Sequence, residues 1–333
     1  MKRIEYIDLA KGICILLVVL DHISISGYFC KGDYPMNDIF NQIRMPLYFI
    51  LSGLFFKDYN GGTWEFLLRK TNRILIPYLF FITLFRTATW LAKASTGNDF
   101  SDIWGSLWFL RCLFFMNIIF VVTYYSVRRV TSNAVAQDIL LGSCMLGIGI
   151  VGYHIGNLHL NFGTALTCMP YLWFGYVLNR RLNFLRMRMQ WWWAVGLSVA
   201  FFVVLHYTYV GDNLFYNNSY CSSLPALYLS GLMGTLAILM LSSIIGRLPV
   251  ISYIGRYSII VLCTHMLVIK IAVAFLKLLP FGWHGTSLVP SLIVLALTIA
   301  MCMFLCWLLS KYLPWFTAQK DLIPVTGNST RAS

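Results

Sequence analysis

The chain has 333 residues, 59% of them hydrophobic and only 11% charged, with a mean hydropathy of +0.72. No soluble single-core domain can hide so large an apolar share, which leaves a polytopic membrane protein. The 25 Lys and Arg outweigh the 12 Asp and Glu, for a formal charge of +13; in a membrane chain such an excess marks cytoplasmic loops, not a nucleic-acid partner.

Taken in order, apolar stretches long enough to cross a bilayer fall at about 7–28, 40–56, 74–91, 107–125, 139–153, 162–178, 191–209, 224–245, 251–276 and 288–313. The expected fold is all-α: a single bundle of about ten transmembrane helices. The first stretch follows a basic start, Met1 to Arg3, and so mimics a signal peptide. No small-residue cleavage site follows it and Asp21-His22 interrupts its end, so it reads as an uncleaved span. The fifth stretch is short and Gly-rich, with the least defined ends. No internal repeat or linker is evident, so one membrane domain covers 1–318 and a short polar tail follows at 319–333.

Loop charges test this count. With the N-terminus inside, 17 basic residues fall in inner segments and only three, Lys31, Lys93 and Lys277, in outer loops. That contrast places both termini in the cytoplasm. The five others, Lys11, Arg44, Arg86, Arg111 and Lys270, lie within the spans, where ionisable groups are expensive and mark function by default.

Helix direction converts residue number into depth. The first and third spans run outward and the second and fourth inward, so Asp21, His22, Arg44, Arg86 and Arg111 share the outer level; His265 falls in the middle to outer half. Snorkelling to the interface explains any one of these arginines. The whole set, with a carboxylate and an imidazole, is better explained by a polar pocket opening outward. There His22, tuned by Asp21, is a candidate general base, and Arg44, Arg86, Arg111 and His265 are candidates for binding an acceptor or steadying an oxyanion. Successive helical residues point about 100° apart, so direct Asp21–His22 pairing is not dictated. For His265 a structural role is an equal alternative. His154, His159, His206 and His284 receive no role.

The inner level has its own cluster: Asp8 and Lys11, the run Arg69-Lys70-Thr71-Asn72-Arg73, and Arg247 and Arg256. Arg128, Arg129, Arg180 and Arg181 are read as ordinary inner-loop charge. Spacings of three and four residues among Arg69, Lys70 and Arg73 place cations on one helical face, suited to phosphates. Lys11 and His22 stand roughly 16 Å apart along one helix, which suggests one elongated ligand. The nine cysteines show no spacing suited to zinc; most read as packing residues, with Cys30 and Cys221 in outer loops able to pair if they are close.

In these residues the chain resembles the integral-membrane acyltransferase-3 family, of the type related to fucose 4-O-acetylases. The match runs from about Ile4 to Leu313. Lys11, ten intervening residues and His22 follow the family's opening pattern, with Lys11 where Arg is usual. Met45-Pro46-Leu47-Tyr48-Phe49-Ile50-Leu51-Ser52-Gly53-Leu54-Phe55 resembles its Ser-Gly-Phe segment, with Arg44 where close members often carry His. Arg69 to Pro77, Leu107-Trp108-Phe109-Leu110 and Ser258 to His265 follow in family order.

The resemblance implies a ten-helix enzyme of the bacterial cell membrane that O-acylates glycans. Acyl-CoA, acetyl-CoA by default, would arrive from the cytoplasm as donor substrate, with no permanently bound cofactor and no metal. Lys11, Arg69, Lys70 and Arg73 would hold its phosphates, and the thioester would reach His22. The partners are then acyl-CoA, a glycan or lipid-linked sugar acceptor, membrane lipids and, for a homodimer, a second copy; nucleic acid is excluded. A covalent route would run through an acyl-His or an acyl-Ser intermediate, with Ser52 a poor candidate nucleophile. The residues by themselves also admit a proton-coupled transporter of a small anionic or glycan-related substrate, or a non-enzymatic assembly partner.

Overall fold

The computed structural model describes residues 4–26, 28, 36–96, 101–186, 190–208, 211, 213–278 and 288–325. Its α-helices, in chain order, are α1 (Glu5–Ile25), α2 (Met36–Leu54), α3 (Gly62–Lys70), α4 (Ile76–Thr96), α5 (Trp108–Val130), α6 (Ala134–Ile155), α7 (Phe162–Thr167), α8 (Met169–Leu182), α9 (Trp191–Thr208), α10 (Leu224–Ile245), α11 (Pro249–Arg256), α12 (Ser258–Lys277) and α13 (Leu288–Tyr312). A two-residue antiparallel pair, Asn213–Leu214 with Ser219–Tyr220, sits between α9 and α10. The fold is all-α. Many large apolar side chains remain exposed, among them Trp191, Trp192, Trp193, Phe202 and Phe304, as expected of an integral membrane protein facing lipid.

Helix covers every expected stretch in whole or large part, with three instructive differences. The fifth stretch is not short: α6 runs 22 residues. The Asn133 side chain accepts from Val135 N and Ala136 N at its start, and Gly156, at φ 75°, ends it. The sixth stretch breaks at Cys168 into α7 and α8 because Pro170, at the start of α8, cannot continue a helix from the preceding turn. The ninth breaks at Tyr257 into α11 and α12.

Seven helical stretches among the described residues are long and apolar enough to cross a bilayer: Gly62–Ser95, Ile103–Val130, Ala134–Ile155, Trp191–Thr208, Leu224–Ile245, Ser258–Lys277 and Leu288–Tyr312. Outside this set lie α1, with its Glu5, Asp8, Lys11 and Asp21, the polar α2, and the divided pair α7 and α8. Helices α1 and α2 are nonetheless central. Leu9, Ala10, Cys14, Ile23, Leu47, Phe49 and Ile50 have almost no exposure, and α1 touches α2, α10, α11, α12 and α13. The charged helices are thus wrapped by apolar ones, which keeps their polar groups out of lipid.

Two backbone contacts fix this centre. A Cβ built on Gly12 would stand 2.0 Å from the Ile251 carbonyl oxygen, and one on Gly255 would stand 1.8 Å from that of Asp8. Helices α1 and α11 therefore cross backbone to backbone, immediately beside Lys11, in the close packing that small residues permit. Gly53 of α2 and Gly175 of α8 make the same kind of contact. Gly12→Ala is expected to force these backbones apart at a cost of about 1–3 kcal/mol, read as a lower melting temperature of the purified protein in detergent; an unchanged melt would refute the tight crossing.

Helices α3 and α4 form one continuous rod through a π-helical turn, Thr71–Leu75. Such turns insert a residue into the helical ladder and recur at functional sites. This one buries Asn72 fully while Arg73 remains exposed.

Candidate functional site

Lys11 and His22 are eleven residues apart on α1, three turns plus roughly 20°, so both side chains leave the same face of the helix. Each marks a different cluster.

At the His22 end, the imidazole lies against His265 of α12, with ring centroids 5.0 Å apart and planes tilted by 43°. His265 is fully buried. Its Nδ1 lies 3.0 Å from the Val261 carbonyl and 2.9 Å from that of Leu262. Both are acceptors, so the hydrogen-bond pattern assigns the proton to Nδ1, which donates, and leaves Nε2 as a lone pair. That Nε2 is buried and makes no hydrogen bond to another described protein group.

Asp21 turns to Arg44, whose Nη1 is 3.0 Å from Asp21 Oδ2. Arg44 is 1% exposed; its Nη1 also donates to the Leu17 carbonyl at 3.2 Å and its Nη2 to Asn41 Oδ1 at 2.5 Å. It braces α1 against α2, and both members of the ion pair act electrostatically on His22. The two remaining arginines of the outer set go elsewhere. Arg86 is exposed on α4, 4.8 Å over the Trp104 ring. Arg111 donates to Asn161 and, at 3.5 Å, to the Tyr78 hydroxyl, and it lines a separate cavity of about 340 Å³ with Asn157, His159, Tyr216 and Asn217.

At the Lys11 end the inner cluster divides in space, since Asp8, Arg247 and Arg256 line a separate cavity with Glu5. Lys11, Arg69, Lys70 and Arg73 line one cavity of about 390 Å³, together with Tyr48, Ser52, Leu110, Ile259 and Leu262. Each cation is positioned by the residues around it. Lys11 Nζ lies 5.5 Å over Phe55, and Lys70 Nζ 5.1 Å over Phe66. Arg69 donates through Nε and Nη2 to Glu65 Oε1, at 3.0 and 2.7 Å, and stacks 4.6 Å over Tyr59. Burial holds the Tyr59 phenol above its ordinary range, so it serves as a neutral ring. The Tyr48 hydroxyl donates to the Lys11 carbonyl at 3.0 Å. The far wall reaches Leu262, whose carbonyl accepts from His265. One helical turn therefore separates the cationic cavity from the histidine pair.

Several residues here escaped the sequence reading. Asn117 exchanges hydrogen bonds with Ser52 at 3.2 Å. Glu65 stands four residues before Arg69, a spacing that does signal an ion pair, whereas Asn72 and the chain after α13 gave no local sign. Asn72 Oδ1 accepts from Leu322 N at 3.0 Å and Ile323 N at 2.9 Å, and its Nδ2 donates to the Ile323 carbonyl at 2.9 Å. Arg73 donates to the Ala318 carbonyl and pairs with Asp321 at 3.3 Å. Asp321 also lines the cavity, so residues 318–323 return to the bundle. Other arginines at helix ends are paired: Arg128 with Asp58, and Arg180 and Arg181 with Asp138.

Among the described residues no three His, Cys, Asp or Glu side chains are grouped to hold a metal ion. Cys221 is an exposed free thiol; Cys30, its suggested partner, lies outside the described residues, as does His284.

Comparison with curated proteins found no match, and comparison with solved structures found none. The acyltransferase domain that defines the acyltransferase-3 family, in contrast, matches residues 4–311. That span takes in both histidines and the four cations, and the chain belongs to the acyltransferase-3 family.

Proposed function

We propose that the protein is a membrane O-acyltransferase that moves an acyl group, by default acetyl, from cytoplasmic acyl-CoA to a hydroxyl of a cell-envelope glycan or lipid-linked sugar. One observation carries this: Lys11 and the distant run Arg69, Lys70 and Arg73 line a single cavity whose far wall is one turn from a pair of touching histidines. The cations suit the donor's phosphates, and three helical turns of α1 suit its extended arm, which would deliver the thioester to His22. The bundle would cross a bacterial cell membrane ten times, with both termini cytoplasmic. The asymmetry of 17 inner to three outer basic residues supports that orientation, and the central burial of α1 and α2 supports counting them as spans.

His22 acts as general base. It takes the proton from the acceptor hydroxyl as that oxygen attacks the thioester carbonyl; the C–O bond forms, the C–S bond breaks, and the thiolate leaves with the proton returned from His22. His265, with Nδ1 committed to two carbonyls, offers its Nε2 lone pair beside that event. Arg44 holds Asp21 and acts on His22 through the field of the pair. Arg86 and Arg111 are assigned to the acceptor's approach. Ser52 is bonded to Asn117, which cannot take its proton, so direct transfer is favoured over an acyl-serine.

Binding of acetyl-CoA to the purified protein tests the proposal by isothermal titration. Saturable binding is expected, and Lys70→Ala should weaken it about tenfold, the worth of one charge-assisted contact. A wild-type protein that binds no acetyl-CoA would overturn the donor assignment and leave the transporter alternative.

A further inference from the structure

Residues 318–323 do more than place Asp321 in the cavity wall. Asn72, in the π-helical turn, has no exposure and spends its whole carboxamide on the backbone of Leu322 and Ile323. Next to it, Arg73 is engaged by the Ala318 carbonyl and by Asp321. Among the described lining residues Asp321 is the one acid, set among Lys11, Arg69, Lys70 and Arg73. A carboxylate in that position holds an arginine the way a phosphate oxygen would. The pair is open to water, at 49% and 34% side-chain exposure, and exposed pairs of this sort are weak and easily exchanged.

The chain just before this segment is anchored. Phe316 stacks on Phe80 at 4.5 Å, and Thr317 is fully buried. Ala318 then adopts φ 61°, a left-handed conformation strained for any residue with a Cβ. Beyond the turn through Ala318, whose Gln319 and Lys320 amides donate to the Pro314 carbonyl at 2.9 and 3.0 Å, the segment's polar contacts go to two side chains, which describes a hinge and a strap. The cavity, about 390 Å³ with Asp321 in its lining, is at the small end of the ~300–1,000 Å³ range of ligand sites, so a long donor needs room that the strap can yield.

We propose that residues 318–323 form a strap that gates the donor cavity, with Asp321 holding the place of a donor phosphate on Arg73. A phosphate-bearing acyl donor then releases the strap by taking Arg73 from Asp321, and a bare acyl-pantetheine, which has no phosphate, does not. The proposal rests on the donor reading of the cavity given above and adds what the site discriminates and how it opens.

Hydrogen exchange by mass spectrometry on the full chain in detergent reads the strap directly, through the Leu322 and Ile323 amides that Asn72 protects. Saturating CoA should raise their exchange several-fold, and acetyl-pantetheine at equal concentration should leave it unchanged. Asp321→Asn, which removes the competitor at an exposed position, should tighten CoA binding about two- to fivefold, the range for an exposed ion pair. Amides that stay protected with CoA bound would make the strap a fixed wall and overturn the gating. Equal release by acetyl-pantetheine, or CoA binding unchanged or weakened in Asp321→Asn, would overturn the phosphate competition. A wild-type chain that binds no CoA would bring down the donor reading and this proposal together, whereas binding without strap release sinks the proposal alone.

Discussion

Replacing His22 with alanine is expected to lower acyl transfer by about 10²- to 10⁴-fold, the usual worth of a positioned general base, while leaving acetyl-CoA affinity intact. The two effects separate because of distance: Lys11, which lines the donor's cavity with the other cations, lies three turns down α1 from His22, and His22 does not line that cavity. A residue that acts only in the transition state should reduce kcat and kcat/KM equally. His22→Gln is the sharper variant, because it keeps a polar side chain of similar length but cannot accept the proton. It should be as inactive as alanine while preserving the packing against His265 better. Transfer measured with radiolabelled acetyl-CoA, alongside a melting curve, distinguishes the outcomes. Retained transfer in a folded His22→Gln protein would remove His22 as the base.

Arg44→Ala is expected to be the most damaging single change to stability, at roughly 3 kcal/mol or more. Breaking a buried pair leaves the partner charge uncompensated and is far costlier than the pair's net worth. Arg44 is almost wholly buried and joins three groups on two helices, Leu17, Asp21 and Asn41. Its loss takes from Asp21, 21% exposed, the buried guanidinium that balances it beside His22. The double variant Arg44→Ala with Asp21→Asn should recover part of the loss, since the carboxylate charge that Arg44 balanced is gone while the cavity remains. A double-mutant cycle on melting temperature isolates that coupling. Strict additivity would show that the pair contributes nothing as a pair.

How far the sequence went is clearest at these residues. The inner grouping of Lys11 with Arg69, Lys70 and Arg73 was legible because cations inside or beside apolar helices are rare, and their spacing projects them onto one face. The outer grouping was read as one pocket of five groups and resolves into three places: Asp21, His22 and Arg44 with His265; Arg86 on Trp104; and Arg111 at Asn161. Depth along a helix follows from counting residues, but the direction in which a side chain leaves its helix relative to its neighbours does not. The helix breaks at Cys168 and Tyr257 were missed for a related reason. Hydropathy averages over a window and is blind to a single residue that leaves the helical region.

By itself the sequence determined that the chain is a membrane bundle, where its apolar helices run, and which charged residues stand out. These properties follow from composition and local periodicity, which neighbours in the chain dictate. It also carried the family pattern, since that pattern is an order of residues along the chain. Only the tertiary structure decided that Asp21 pairs with Arg44, that His265 meets His22, that Gly12 and Gly255 let α1 and α11 touch, and that Asp321 returns to Arg73. Each of these contacts joins residues far apart in the chain or on different helices, such as Asn72 and Ile323. Their energies depend on distance and orientation in space, which a linear order of residues does not contain.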